Sequence, residues 1–496
     1  MAKQKIYLDH AATTPVYPDV LAAMLPYFGN HYGNPNSLHS FGRDSRRAIE
    51  AARDKVAALI CADSAEIIFT SGGTEADNLA IQGITRAHQA SGGHIITSAI
   101  EHHAVLNTCA YLESTGFRVS YLAVDERGTL DPAAVEKAIC NDTILITIMH
   151  ANNEVGTIEP IAAIGRIARQ KGVLFHTDAV QSAGKIPIDV RKLHVDLLSL
   201  SSHKIYGPKG VGALYVRSGV DIAPIQFGGG HERGLRSGTE HVSGIIGFGK
   251  TCEIALRDLG KNMLHVKDLR DCLEHMLLER IPGIRMNGYP DERLPHILSV
   301  SFEGLEAESI VAGLDVEGIY ASAGAACTTS AIEPSHVLTA MRLPSHLAFA
   351  TVRFSLGWEN TKEEISQTME VLEKVVTNLR RFYAADAQDL VVVTFADERS
   401  AVLARDKMHA MGIRYTLAAT PSHMREKDVS HVALFFPSKH QDKVKKILEK
   451  SGIEVVSLHH LQGISSPMRG MELKRMEHAF WDTVATGKKD GDSGAD

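Results

Sequence analysis

Lys204 stands between two apolar runs, Val195 to Leu200 and Val211 to Val216, in the stretch Ser201-Ser202-His203-Lys204-Ile205-Tyr206-Gly207-Pro208-Lys209-Gly210. A lysine so placed is either solvated in a surface turn or desolvated, with an amine neutral enough to form a Schiff base with an aldehyde cofactor. Such a cofactor needs an acid against its ring nitrogen and donors for its phosphate. Asp178, followed by Ala179-Val180-Gln181, can supply the acid, although a strand-end aspartate is as readily a helix cap. Ser71-Gly72-Gly73-Thr74-Glu75 can supply the donors, because a small-residue turn from strand to helix leaves backbone N–H groups and the helix dipole facing an anion. The other reading of that stretch is a simple tight turn. Ser201 and His203 add to the donor set. Cys327 lies among small side chains, Ala321-Ser322-Ala323-Gly324-Ala325-Ala326-Cys327-Thr328-Thr329-Ser330. There a thiolate could attack as a nucleophile, though composition alone favours a buried structural cysteine.

The elements that must position these groups follow from alternation. Strands are predicted at Glu66–Thr70, His94–Thr97, Phe117–Leu122, Thr143–Met149, Val173–Thr177 and Val195–Leu200, with helices between them, one from about Ser40 to Leu59. Repeated βα order predicts an α/β fold with a mostly parallel sheet and helices on both faces. Ligands in such a sheet sit at the carboxyl ends of the strands. Thr74, His102, Asn153, Asp178, Gln181, His203 and Lys204 all fall at that edge, which argues for one site that fits pyridoxal phosphate (PLP). An amphipathic helix from about Ile254 to Arg280 then bridges to a smaller α+β unit, which contains the strand Thr351–Leu356 with Arg353. After a linker at 383–389, the order βαββαβ predicts a ferredoxin-like module. The chain is thus divided into an arm (1–15), a large domain (16–260), a small domain with the cysteine loop (261–385), a module (388–462) and a tail (463–496), whose end is polar and glycine-rich and is expected to be disordered.

Composition limits the partners. A net charge of −7 gives no electrostatic support for nucleic acid, and no basic cluster or long apolar run points to a membrane. The N-terminus has no signal-peptide pattern, so a cytoplasmic location is expected. The six cysteines show no metal or disulfide spacing, so no metal site is expected. Cys61, Cys109, Cys140, Cys252 and Cys272 read as buried small hydrophobes, and Cys327 is the exception.

Asp178 to Gln181, Ser201 to Gly210 and Arg236-Ser237-Gly238-Thr239 resemble the NifS/IscS-type cysteine desulfurases, as do Tyr7 to Pro15, Thr70 to Leu79, Glu101-His102-His103 and Met149 to Thr157. The resemblance covers about residues 5–382. It implies the PLP-dependent transferase fold type I (the aspartate-aminotransferase fold) and conversion of L-cysteine to L-alanine. By the same resemblance, Lys204 holds PLP and shuttles a proton, Asp178 pairs with the pyridine nitrogen, and Gln181 bonds the ring hydroxyl. His102 stacks on the ring and acts as acid or base. Gly73, Thr74, Ser201 and His203 hold the phosphate, and Thr239 reaches it from the other subunit of a homodimer. Asn153 and Arg353 hold the substrate carboxylate. Cys327 carries the sulfur as a persulfide to an acceptor such as an iron–sulfur scaffold. Residues 388–460 are similar to small selenium/sulfur-carrier-like domains, but no cysteine follows Cys327, so docking or regulation suits the module better than carrying sulfur. A selenocysteine lyase, another PLP enzyme, or an inactive scaffold of this fold are the alternatives.

Overall fold

The computed structural model describes residues 5–90, 93–323, 334–384 and, with short breaks at 412, 414, 421–423, 425–428 and 452, residues 390–461. Seven strands form the large sheet. Their order is Ile67–Thr70, Gly212–Val216, Leu197–Ser201, Leu174–Asp178, Thr143–Thr147, His94–Ser98 and Arg118–Leu122. The last five pair in parallel. Gly212–Val216 runs antiparallel to both its neighbours. The reason is length: residues 202–211 are too few for a parallel crossover, which takes a dozen residues or more, so the chain must turn back. Lys204 rides on that return. The central strands are buried along their whole length, as a sheet covered on both faces requires.

The bridging helix is longer than its pattern predicts and runs Val242–Arg280. Gly244, Gly247 and Gly249 argue against a helix by propensity. Packing overrides them: a Cβ at Gly249 would stand 2.6 Å from Ala52 Cα, so the glycine lets this helix lie close against Ser40–Leu59. Its first half (Ile245, Phe248, Cys252) joins the large core, and its second half (Leu269, Leu273, Leu277) joins the core beneath a second sheet. That sheet is antiparallel, in the order Ser322–Ala323, Thr351–Ser355, Ile297–Phe302, Ile284–Asn287. Ile6–Tyr7 of the arm pairs in parallel with Ile319–Tyr320.

The C-terminal module has the predicted ferredoxin-like order, with Thr416–Ala419, Val432–Pro437, Leu390–Phe395 and Val455–Leu461 side by side and antiparallel. Ala418 and Phe435 pack into the small core, Ala312 packs into the module's core, and Arg405 pairs with Glu317 at 2.7 Å.

Two of the five cysteines read as buried are exposed, Cys61 and Cys140, and Cys272 is only partly covered. Cys61 follows the end of Ser40–Leu59 in a left-handed turn (φ 58°), and Cys140 follows Pro132–Ala138. Apolar neighbours in sequence do not bury a side chain that leaves a helix end. Among the described residues no helix is long and apolar enough to cross a membrane.

Candidate active site

Four adjacent parallel strands end at one edge, and a cavity of about 240 Å³ opens there. Gly73, Thr74, His102, Asn153, Asp178, Gln181, Ser201, His203, Lys204 and Arg353 all line it. Thr239 does not; it is exposed, on a segment tied down by the Arg236–Glu75 ion pair at 2.8 Å. Cys327 lies outside the described residues. Where the described chain resumes, Ser335 Oγ donates to Glu154 at 2.5 Å, and His336 Nε2 lies 2.9 Å from the Glu101 carbonyl, so this part of the chain is fixed beside the lining residues Asn153 and His102.

Lys204 closes a short 3₁₀ turn, Ser202–Lys204, directly after the strand. Its amine donates to the carbonyls of Ala11 and Ala12 at 2.7 and 2.8 Å. Burial, reinforced by the Arg353 charge, lowers the amine to about 8, so near neutral pH a useful fraction is an uncharged base. The arm is stapled to the same turn: Thr14 Oγ1 accepts from the Tyr206 N–H at 2.7 Å, and the Thr14 N–H donates to the His203 carbonyl at 3.0 Å. His203 places Nδ1 3.1 Å from Thr13 Oγ1, and burial beside Lys204 lowers its pKa to about 4, leaving the ring neutral.

Asp178 is the last residue of its strand. One carboxylate oxygen accepts from the Val180 N–H at 2.8 Å, but a turn and not a helix follows, so the helix-cap alternative does not hold. Burial nevertheless raises its pKa, against the opposing pull of His102 and Lys204, and a cationic partner would relieve this. Gln181 Nε2 donates to the Ala11 carbonyl at 2.9 Å, while its Oε1 is buried with no partner among the described residues. His102 caps Ala104 N–H through Nδ1 at 3.1 Å. Its ring is exposed at the cavity mouth, yet enough protein surrounds it to lower its pKa, burial first, and it too is neutral.

The helix Gly73–His88 starts at the cavity without a side-chain cap, so its first N–H groups remain available. A Cβ at Gly73 would stand 2.7 Å from Val180 Cγ2; only hydrogen fits between the two turns. Across the cavity Arg353 donates to the Asn153 carbonyl and to Asp9 Oδ1, both at 2.9 Å.

These features fit PLP. The orphaned acceptor on Gln181 suits a ring hydroxyl, the buried Asp178 suits a protonated ring nitrogen, and the open helix start with Thr74 and Ser201 suits a phosphate. Sequence reasoning missed several lining groups. Asp77 is buried here and was signalled by its place one helical turn after Gly73 and Thr74. Ala11 and Ala12 lie in the Tyr7 to Pro15 stretch that resembles the family, but their place in the lining was not legible, because an irregular arm has no periodicity that says where it docks.

Known proteins can be set beside this geometry. The aminotransferase class-V family profile matches residues 6–368. A cysteine desulfurase IscS of Dictyoglomus turgidum is 51% identical over 378 residues, which is 76% of this chain and 96% of that protein. A solved NifS-like protein aligns with a TM-score of 0.71 and 40% identity, covering 75% of this chain and all of that one. A structure described as SspA in complex with cysteine aligns with a TM-score of 0.64 and 39% identity, over 72% of this chain and all of that one. The chain belongs to the aminotransferase class-V family and, within it, to the IscS/NifS cysteine desulfurases.

Proposed function

We propose that this protein converts L-cysteine to L-alanine and passes the sulfur, held as a persulfide on Cys327, to an acceptor protein. The observation that carries the reading is the meeting of Lys204, Asp178 and Gln181 around one cavity at the start of an uncapped helix. Relatives named cysteine desulfurase, 46–51% identical, support it. PLP bound here takes up the electron pair released when a bond at the substrate Cα breaks.

The chain's own residues do the rest. Arg353 presents a planar fork to the substrate carboxylate, with Asn153 beside it. Lys204 Nζ, whose neutral fraction near neutral pH is raised by burial, takes the proton from Cα and later returns one. His102, a neutral base at the cavity mouth, accepts or donates a proton there. Asp178 fixes the charge on the ring nitrogen, and Thr74, Ser201, His203 and the Gly73 amide hold the phosphate. Cys327, as thiolate, attacks the substrate sulfur; the S–S bond forms as the substrate Cβ–S bond breaks, and the carbon fragment keeps that electron pair and is protonated to give alanine.

A homodimer belongs to the reading, with Thr239 of one subunit completing the phosphate site of the other. Exposed apolar side chains support it: Leu38 is 91% exposed and Phe227, next to the segment that bears Thr239, is 78% exposed. The C-terminal module, which has no thiol, would dock or regulate an acceptor such as an iron–sulfur scaffold. The free cysteines among the described residues suit a reducing, cytoplasmic setting. An alanine-release assay with cysteine and selenocysteine tests the reading. Release from cysteine supports it, strong preference for selenocysteine moves it to a selenocysteine lyase, and no release from either defeats it.

A further inference from the structure

Behind the cavity lies a group of basic side chains that the chemistry above does not use. The turn after Gln181 reaches Gly184, whose backbone is left-handed (φ 70°) and where a Cβ would stand 2.9 Å from Ile205 Cγ2. Glycine is required there. The turn leads Lys185 into the interior, 7% exposed, and its Nζ has no hydrogen-bond partner among the described residues. The next residue, Ile186, packs with Ala11 and Ala151, which line the cavity. His296, at the entry to Ile297–Phe302, is buried with both ring nitrogens unpartnered among the described residues. His10 is buried too, its Nδ1 3.5 Å from the Tyr206 hydroxyl. Lys185 feels the charges of Lys204 and Arg353; His203 and His296 feel that of Lys185, and His296 those of His10, Arg353 and Arg270 as well. The nearby carboxylate, Asp9, is committed to Arg353.

A polar group this deep normally has a partner. Burial first, and then the charges of Lys204 and Arg353, drive the Lys185 amine well below the ordinary lysine range. An anion arriving at Arg353 reverses the balance, because an opposite charge nearby favours the protonated amine. We propose that Lys185 is a positioning residue for the reaction above: it takes up a proton when the substrate carboxylate docks at Arg353, and so supplies the countercharge that Arg353, already paired with Asp9, lacks. The proposal rests on the reading of Arg353 as the carboxylate site.

The test uses the full chain loaded with its cofactor and L-alanine as the ligand. Calorimetric titration in two buffers of different ionisation heat counts the protons exchanged on binding. Lys185→Met should take up about one proton fewer than the wild type near pH 8. Its KM for L-cysteine should rise about tenfold, with kcat changed less than about twofold. L-Alaninamide, which has no carboxylate, should give equal proton counts in both proteins. Lys185→Arg, charged at all working pH values, should restore KM yet still lose the uptake; Lys185→Gln, neutral and polar, should lose the uptake too and carries the test where the methionine variant does not fold. Equal proton counts for L-alanine in the wild type and any of these variants overturn the proposal, as does an equal deficit with L-alaninamide. A wild type that releases no alanine from cysteine defeats the functional reading instead.

Discussion

Asp9 and Arg353 lie 344 positions apart in the chain and 2.9 Å apart in space. The pair ties the irregular arm to a strand of the small sheet at the wall of the cavity, and it aims the guanidinium that the functional reading assigns to the substrate carboxylate. Both side chains are largely covered, so breaking the pair costs more than breaking a surface ion pair. Asp9→Asn should raise KM for L-cysteine roughly five- to thirtyfold, about 1–2 kcal/mol, with kcat much less affected. Steady-state kinetics on cofactor-loaded protein check this; an unchanged KM contradicts it.

Gly73 is the tightest point of the phosphate cradle. Gly73→Ala forces a methyl to within 2.7 Å of Val180 Cγ2 and pushes the two turns apart. Cofactor retained after dialysis should fall about tenfold. The double variant Gly73→Ala with Val180→Ala should recover much of the loss, because it removes the atom that clashes. A double variant as empty as the single one would locate the fault elsewhere.

The pH dependence follows from Lys204. Its pKa is lowered to about 8, by burial first and then by Arg353, and the amine acts as a base only when neutral. Below that value each unit of acidification should cost about tenfold in kcat/KM, and above it the profile should level off. A profile flat between about pH 6 and pH 9 would rule out Lys204 as the titrating base.

The catalytic edge was legible because a parallel sheet brings the ends of distant strands together. Asp178 and Ser201 are the last residues of their strands, and His102, Asn153 and Lys204 follow within a few residues of theirs. Periodicity locates those ends, so chemistry at the ends is readable. What periodicity does not encode is where irregular chain docks. The carbonyls of Ala11 and Ala12, the Asp9 carboxylate and the inward turn at Gly184 are tertiary facts. The early start of Val242–Arg280 was hidden for a related reason: its glycines look like helix breakers until the close approach of Ala52 to Gly249 and of Met24 to Gly247 shows why they are needed.

Among the described residues none of the C-terminal module lines the cavity; the module contacts the small domain through Ala418, Phe435 and the Arg405–Glu317 pair. Removal of residues 386–496 should therefore leave alanine release within about twofold while lowering Tm by a few degrees, roughly 1–2 kcal/mol of lost apolar contact. Loss of turnover in a truncated chain that still binds cofactor would assign the module a direct part in the reaction.

The central claim is that a thiol, and not the cofactor alone, makes this a desulfuration. It is tested most directly by alanine release from L-cysteine in Cys327→Ala, with bound cofactor measured on the same sample. The variant should keep full cofactor content and release no alanine, and in the wild type a peptide bearing Cys327 should gain the mass of one sulfur atom during turnover. Alanine release from the variant at the wild-type rate would contradict it.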